Sequence, residues 1–163
     1  MGERLVGVDL DLCFVTQFER TQETARIALA ARDIRIVEEP LLNDPVLGDL
    51  EGTDYVAHDA WMDANDWHAK PPGGENQLEA LTRYVAGFRR VIDAPDTSVI
   101  VIAHHFPLSF LLTIALDDGP AIRRRYSRKI APGEINEIDP ALLRAELDNA
   151  GDELAALGMH VPA

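Results

Sequence analysis

A chain of 163 residues that is 47% hydrophobic and 26% charged can bury one sizeable core, so residues 1–163 read as a single folded domain rather than a disordered tail. Fifteen basic against 28 acidic residues give a net charge of −13, a field that repels nucleic acid and anionic membranes and argues against both as partners. No apolar run is long enough to cross a bilayer, and Met1-Gly-Glu-Arg does not open a secretory signal. The single cysteine, Cys13, lies in an apolar run, so a cytoplasmic address and a packed, unreactive thiol are expected.

From Gly7 to Val15 the pattern alternates, with Val8, Leu10, Leu12 and Phe14 on one side and Asp9, Asp11 and Cys13 on the other. It predicts a strand whose first half is partly exposed. Residues 16–31 read as a loop running into a helix, with Arg20 at the turn between them. Ile34-Arg-Ile-Val37 is a second short strand. The proline- and glycine-punctuated loop 38–52 follows, with several carboxylates including Asp44; loops of that length inside a compact domain tend to be functional. Residues 57–69 carry His58, Trp61, Trp67 and His68 and predict a short helix. After the break at Pro71-Pro72-Gly73-Gly74, Glu75-Asn76 opens a long amphipathic helix with Leu78, Leu81, Val85, Phe88, Val91 and Ile92 on one face.

The run Ser98-Val-Ile-Val-Ile-Ala103 has no polar face and reads as a central parallel strand buried on both sides. It ends on His104-His105-Phe106-Pro107, and 108–116 continue as a packed helix with Pro107 near its first turn. A basic segment follows Asp117, isoleucines three apart in 132–139 suggest a short edge strand, and 140–157 read as a helix that Gly151 could break. Strands alternating with helices define an α/β fold: a three-layer sandwich with a mostly parallel sheet and helices on both faces.

Ligands of such sheets bind beyond the carboxyl ends of the strands, next to the following helix. His104 stands at one such end, either as an inert histidine closing a buried strand or as a working imidazole. Arg20 and Asp44 follow two other predicted strands, so a parallel sheet brings all three to one edge. A guanidinium that binds phosphoryl oxygens in pairs, an imidazole and a carboxyl able to protonate a leaving oxygen suit phosphoryl transfer. The run Arg123-Arg124-Arg125 with Arg128-Lys129 could select an anion but reads first as a solvated face. The spacing of His58 and His68 fits no metal site, and Trp61 and Trp67 read as packing residues or as walls of a pocket.

Four stretches in order resemble the histidine phosphatase superfamily, the phosphoglycerate-mutase-like enzymes. Thr16-Gln-Phe-Glu-Arg20-Thr21-Gln-Glu-Thr24-Ala25 is similar to its Ser-Pro-x-x-Arg-x-x-x-Thr-Ala segment, and Leu42-Asn-Asp44 through Gly48 to Glu51-Gly52 to its Leu-x-Glu-x-x-x-Gly-x-x-Glu-Gly loop. Pro72-Gly-Gly-Glu75-Asn76 resembles its Pro-x-Gly-Glu-Ser helix opening, and Val101-Ile-Ala-His104-His105-Phe-Pro107 its Val-x-Ser-His-Gly-x-Pro turn. The resemblance implies metal-independent hydrolysis of a small phosphomonoester without a cofactor. Arg20 would bind the phosphoryl group, His104 would hydrogen-bond it, Asp44 would be the acid or base where Glu is commoner, and Glu75 would open the long helix on the pocket side.

The departures bear on activity. The family's nucleophile lies in an Arg-His-Gly triplet at the end of its first strand, and these 163 residues contain no such triplet. The family pattern is met from about its second strand onward, and a strand with its crossover helix is on the order of 30 residues. The resemblance therefore implies an open slot beside the His104 strand, or a remodelled sheet in a homodimer. His105 replaces a glycine, where it would crowd the phosphate seat or stand in as nucleophile. Little or no turnover is expected from the chain as written. The rivals are a family remnant that binds inorganic phosphate, another anion or a protein partner, and an enzyme whose triplet lies upstream.

Overall fold

In a computed structural model that describes residues 2–96, 98–117, 119–123, 126 and 128–162, three short parallel strands form the sheet. They are β1 (Leu12–Val15), β2 (Arg35–Glu38) and β3 (Val99–Ile102), in the order β2-β1-β3. Helix α1 (Glu19–Ala28) covers one face. The other carries α3 (Gln77–Ile92), α4 (His105–Leu116) and α5 (Pro140–Ala156), and α2 (Tyr55–Ala64) lies in the connection ahead of α3. The expected three-layer α/β arrangement with helices on both faces is what forms, and among the described residues no helix is long and apolar enough to cross a membrane.

The sheet departs from the sequence expectation in one instructive way. Among the described residues the central strand is β1, while the aliphatic run 99–102, read as central, lies at the sheet's edge on the side where the resemblance implied an open slot, with Val99, Ile100 and Val101 only half-buried. An all-aliphatic run reports that helices cover both faces of a strand; it carries no information about how many strands flank it. Cys13, expected to be a packed thiol, is fully buried, as are its three neighbours in β1, because both faces of the middle strand are covered. Burial pushes the Cys13 thiol up to about 12, which suits a packed rather than a reactive cysteine. Pairing begins only at Leu12, since Asp11 closes the strand's start by accepting from Ser98 N at 3.0 Å.

The expected edge strand at 132–139 does not form. Its local turn is closed by Glu134 N donating to Ala131 O at 2.9 Å, and its isoleucines diverge: Ile135 packs on the α1 side of the sheet and Ile138 on the α3 side. Nor does Gly151 break the last helix. The Arg89 guanidinium would lie 2.9 Å from a Cβ there, so glycine makes room for α3 against an unbroken α5. Asn76 caps α3 in a full capping box with Glu79, as the break at 71–74 and the polar opening led one to expect. Leu147 of α5 is wholly buried against the α3 side of the core. Leu147→Ala is expected to cost about 2–5 kcal/mol, read as a lowered urea midpoint at unchanged slope.

Candidate functional site

The carboxyl ends of all three strands converge. β1 runs out into Thr16, α1 presents Arg20 in its first turn, the loop after β2 brings Asn43 and Asp44, and β3 ends on His104, the residue that precedes α4. Arg20 donates to His104 Nδ1 from Nε at 3.1 Å and from Nη2 at 2.9 Å, and Nη2 also donates to Asp44 Oδ2 at 2.8 Å. Asp44 Oδ2 lies 3.4 Å from His104 Nδ1. The three residues singled out in the sequence therefore form one contact cluster. His104 lies at its base with 4% of its side chain exposed, while Asp44 and Arg20, at 35% and 58%, face solvent.

These contacts fix the state of the imidazole. A guanidinium has only donors, so His104 Nδ1 accepts and the ring is the neutral Nε2–H tautomer. Nε2 donates to the buried Thr16 Oγ1 at 2.8 Å. Thr16 Oγ1 lies 2.8 Å from Thr21 Oγ1, and Thr21 in turn donates to Phe18 O at 2.8 Å. With Thr21 donating onward, the proton order His104, Thr16, Thr21, Phe18 runs in one direction. Phe18 meets the imidazole edge-on at 4.8 Å between centroids and lies 4.4 Å below the Arg20 guanidinium carbon.

Burial holds the His104 pKa below its ordinary 6.5, with Asp44 opposing that shift and Arg20 adding to it. The unfolded chain therefore binds this proton at a higher pH than the fold does, and stability rises with pH across that interval. The contribution is complete above about pH 6.5 and is lost as pH falls through the folded value. We expect the thermal midpoint to drop between pH 7 and pH 5, and the drop to shrink in His104→Gln; an equal drop in the variant would place the titration elsewhere.

Glu75 and His105 stand apart from the cluster. Both Glu75 oxygens are engaged: Arg83 donates to them at 3.0 and 2.6 Å, and Val46 N donates to Oε1 at 2.9 Å. His105 is exposed as the first residue of α4, outside the hydrogen-bonded set. Of the basic run, Arg124 and Arg125 lie outside the described residues; Arg123 and Arg128 both pair with Asp117 at the far end of α4. Among the described residues no group of histidine, cysteine and carboxylate side chains is arranged to hold a metal ion.

Sequence reasoning gave no role to Arg83, Asn43, Thr16 or Thr21. Arg83 Nη1 donates to Leu41 O and Asn43 O, both at 2.7 Å, and Nη2 to Asp44 O at 2.9 Å, so one guanidinium sets the path of the loop that carries Asp44. Asn43 exchanges two 3.0 Å bonds with Gln17 and ties that loop to the end of β1. Gly48, at φ 56°, lets the same loop close on 71–74: a Cβ there would lie 2.1 Å from Pro72 O. Pro45, the residue after Asp44, joins Trp61, Met62 and Phe106 in walling a small cavity of about 60 Å³, with Glu75 and Gln77 at its polar side. Gln77 Nε2 donates to Arg123 O at 2.8 Å, and its buried Oε1 has no partner among the described residues.

A buried neutral histidine, an arginine that reaches it by two donors and a carboxylate are gathered at the carboxyl edge of a parallel sheet and the start of α4, where ligands of α/β proteins commonly bind. The family model of the histidine phosphatase superfamily (branch 1) matches residues 1–152, and the chain belongs to that superfamily. It is 33% identical over 119 residues to the adenosylcobalamin/α-ribazole phosphatase of Escherichia coli K12, covering 66% of this chain and 57% of that protein. The crystal structure of the α-ribazole phosphatase from Shigella flexneri superposes with a TM-score of 0.58 at 27% identity, over 72% of this chain and 62% of that one. A mycobacterial glucosyl-3-phosphoglycerate phosphatase, in complex with inorganic phosphate, shares the fold at 21% identity and a TM-score of 0.55, over 71% of this chain and 63% of that one. The chain thus spans about six tenths of the length of these relatives.

Proposed function

We propose that the Arg20, His104 and Asp44 cluster binds the phosphoryl group of a small phosphomonoester, and that the chain as written turns such an ester over weakly or not at all. The contact that carries this reading is the double donation of Arg20 to a buried His104 Nδ1. It holds a guanidinium and an imidazole edge together where an anion with several oxygens can replace the imidazole as acceptor. Asp44 reaches the same space from the solvent side as proton carrier for the leaving oxygen. The small cavity that Pro45 lines suits the first atoms of the organic half of the ester, with Trp61 and Phe106 as walls. Glu75 acts through Arg83 by fixing the Asp44 loop, and His105 stands at the rim. A lone, buried Cys13 suits a cytoplasmic setting.

Weak turnover follows from the absence of an Arg-His-Gly triplet in these residues. A second reading is a superfamily member that binds an anion or a protein partner without catalysis. Pairing of two copies along the β3 edge, which among the described residues pairs only with β1, is the self-association that this reading allows. Hydrolysis of an aryl phosphate, measured beside His104→Ala together with phosphate binding, separates the readings. We expect saturable phosphate binding that His104→Ala weakens, with hydrolysis near the variant's background. Brisk hydrolysis lost in the variant would show a working enzyme; failure to bind phosphate would remove the proposal.

A further inference from the structure

The proton order around His104 carries an inference that rests on the phosphoryl reading and deepens it. Nε2 is committed as a donor: its N–H ends on Thr16 Oγ1, that hydroxyl meets Thr21 Oγ1, and Thr21 donates to Phe18 O. Thr16 is wholly buried and Thr21 nearly so, which keeps solvent from taking over either role. Nδ1 can become a donor in two ways. Either the ring takes a second proton, or the Nε2 proton leaves and both hydroxyls turn round. The second way gives up the 2.8 Å bond from Thr21 to Phe18 O and reverses a chain whose members polarise one another.

An anion makes the opposite demand on Nδ1. In the structure Nδ1 accepts twice from Arg20. A phosphoryl dianion that takes those donors offers only acceptors of its own and sets an oxygen lone pair against a buried nitrogen lone pair, which is costly. The charged groups that face Nδ1 are Arg20 from α1 and Asp44 from the loop after β2, the latter 3.4 Å away. Thr16, Phe18 and Thr21 carry no charge, and His105, next along α4, is exposed outside the hydrogen-bonded set. A dianion arriving beside the Asp44 carboxylate adds a second negative neighbour that favours a charged ring. We propose that the site captures a phosphoryl dianion together with one proton, held between His104 Nδ1 and an anion oxygen, and that the Thr16–Thr21 hydroxyl pair enforces this by committing Nε2 to the proton it already holds.

The test is calorimetric titration of inorganic phosphate into the full 163-residue protein at about pH 8.5, where free phosphate is a dianion and the free ring neutral. Repeating it in buffers of different ionisation enthalpy counts the protons taken up. About one proton per phosphate is expected, drawn from the buffer. Because phosphate and proton then raise each other's affinity, the dissociation constant should rise about tenfold per pH unit from there. His104→Gln, whose amide donates without taking a proton, should bind with uptake near zero and a nearly flat pH profile. Thr16→Val removes the acceptor that holds the Nε2 proton and should lower the uptake well below one, and Thr16→Ser should keep it; the His104→Gln comparison stands even if Thr16→Val fails to fold. Binding without uptake would overturn the inference and leave the phosphoryl reading standing, whereas no phosphate binding at all would remove both. Uptake lost in Asp44→Asn but kept in His104→Gln would place the proton on the carboxylate and also overturn it. A full proton taken up by folded Thr16→Val would overturn the part given to the hydroxyl pair.

Discussion

Arg20→Ala is expected to raise the dissociation constant for inorganic phosphate about 10- to 100-fold, measured by calorimetric titration at fixed salt. The range is that of one charge-assisted bond pattern, about 1.5–3 kcal/mol, at 1.4 kcal/mol per decade. Within the cluster Arg20 is the only guanidinium, and its Nε and Nη2 already converge on one acceptor 3.1 and 2.9 Å away. Its pairing with Asp44 is largely solvent-exposed and so weak that an incoming anion displaces it at little cost. Arg20→Lys should recover only part of the affinity, because an ammonium cannot present two coplanar donors. Removing Arg20 also removes one of the influences that hold the His104 pKa down, although burial, the larger cause, remains. Phosphate affinity unchanged within a factor of two would place the anion elsewhere.

Arg83→Leu is expected to be among the most destabilising single changes outside the aliphatic core, at about 3–5 kcal/mol. The substitution strands the half-buried Glu75 carboxylate and removes the donors held by Leu41 O, Asn43 O and Asp44 O. Arg83 keeps its proton firmly: burial opposes its charge, but the Glu75 carboxylate more than offsets that and holds its pKa above the ordinary value. In a domain of this size the loss corresponds to a thermal midpoint roughly 10 °C lower. A double mutant with Glu75→Gln should lose less than the sum of the two single changes, since the stranded charge is then absent. Additive losses would mean that Arg83 and Glu75 act separately.

The meeting of Arg20, Asp44 and His104 was legible because each follows a strand, and the parallel sheet then delivers them to one edge; Glu75 and His105, also singled out, stand apart. Arg20, Asp44 and His104 needed only that topology to meet. Thr16 and Thr21 lay inside a recognised stretch but carried no periodic signal, since a buried hydroxyl at a strand end looks like any loop threonine until its partner is known. Arg83 sits on the long helix among residues that alternate apolar and polar, and nothing local distinguishes a clamp on distant carbonyls from a solvated arginine. The fold was read correctly in class; the run at 98–103, read as central from its aliphatic content, lies at the edge of the described sheet, on the side where the resemblance implied an open slot. Aliphatic content at 99–102 records cover by α1 on one face and α3 and α4 on the other, and is silent on which strands flank β3. Isoleucines three apart at 135 and 138 looked like a strand because both are buried in part, but they reach two different faces of the sheet.

The most direct test of the account is the 15N spectrum of the His104 imidazole, recorded at neutral pH with and without inorganic phosphate and assigned through His104→Gln. The account predicts a neutral ring protonated at Nε2 in the free protein, with Nδ1 accepting from Arg20, and a shift of the Nδ1 resonance as phosphate saturates the site. A ring already charged or protonated at Nδ1 without phosphate, or a spectrum unmoved by saturating phosphate, would contradict it.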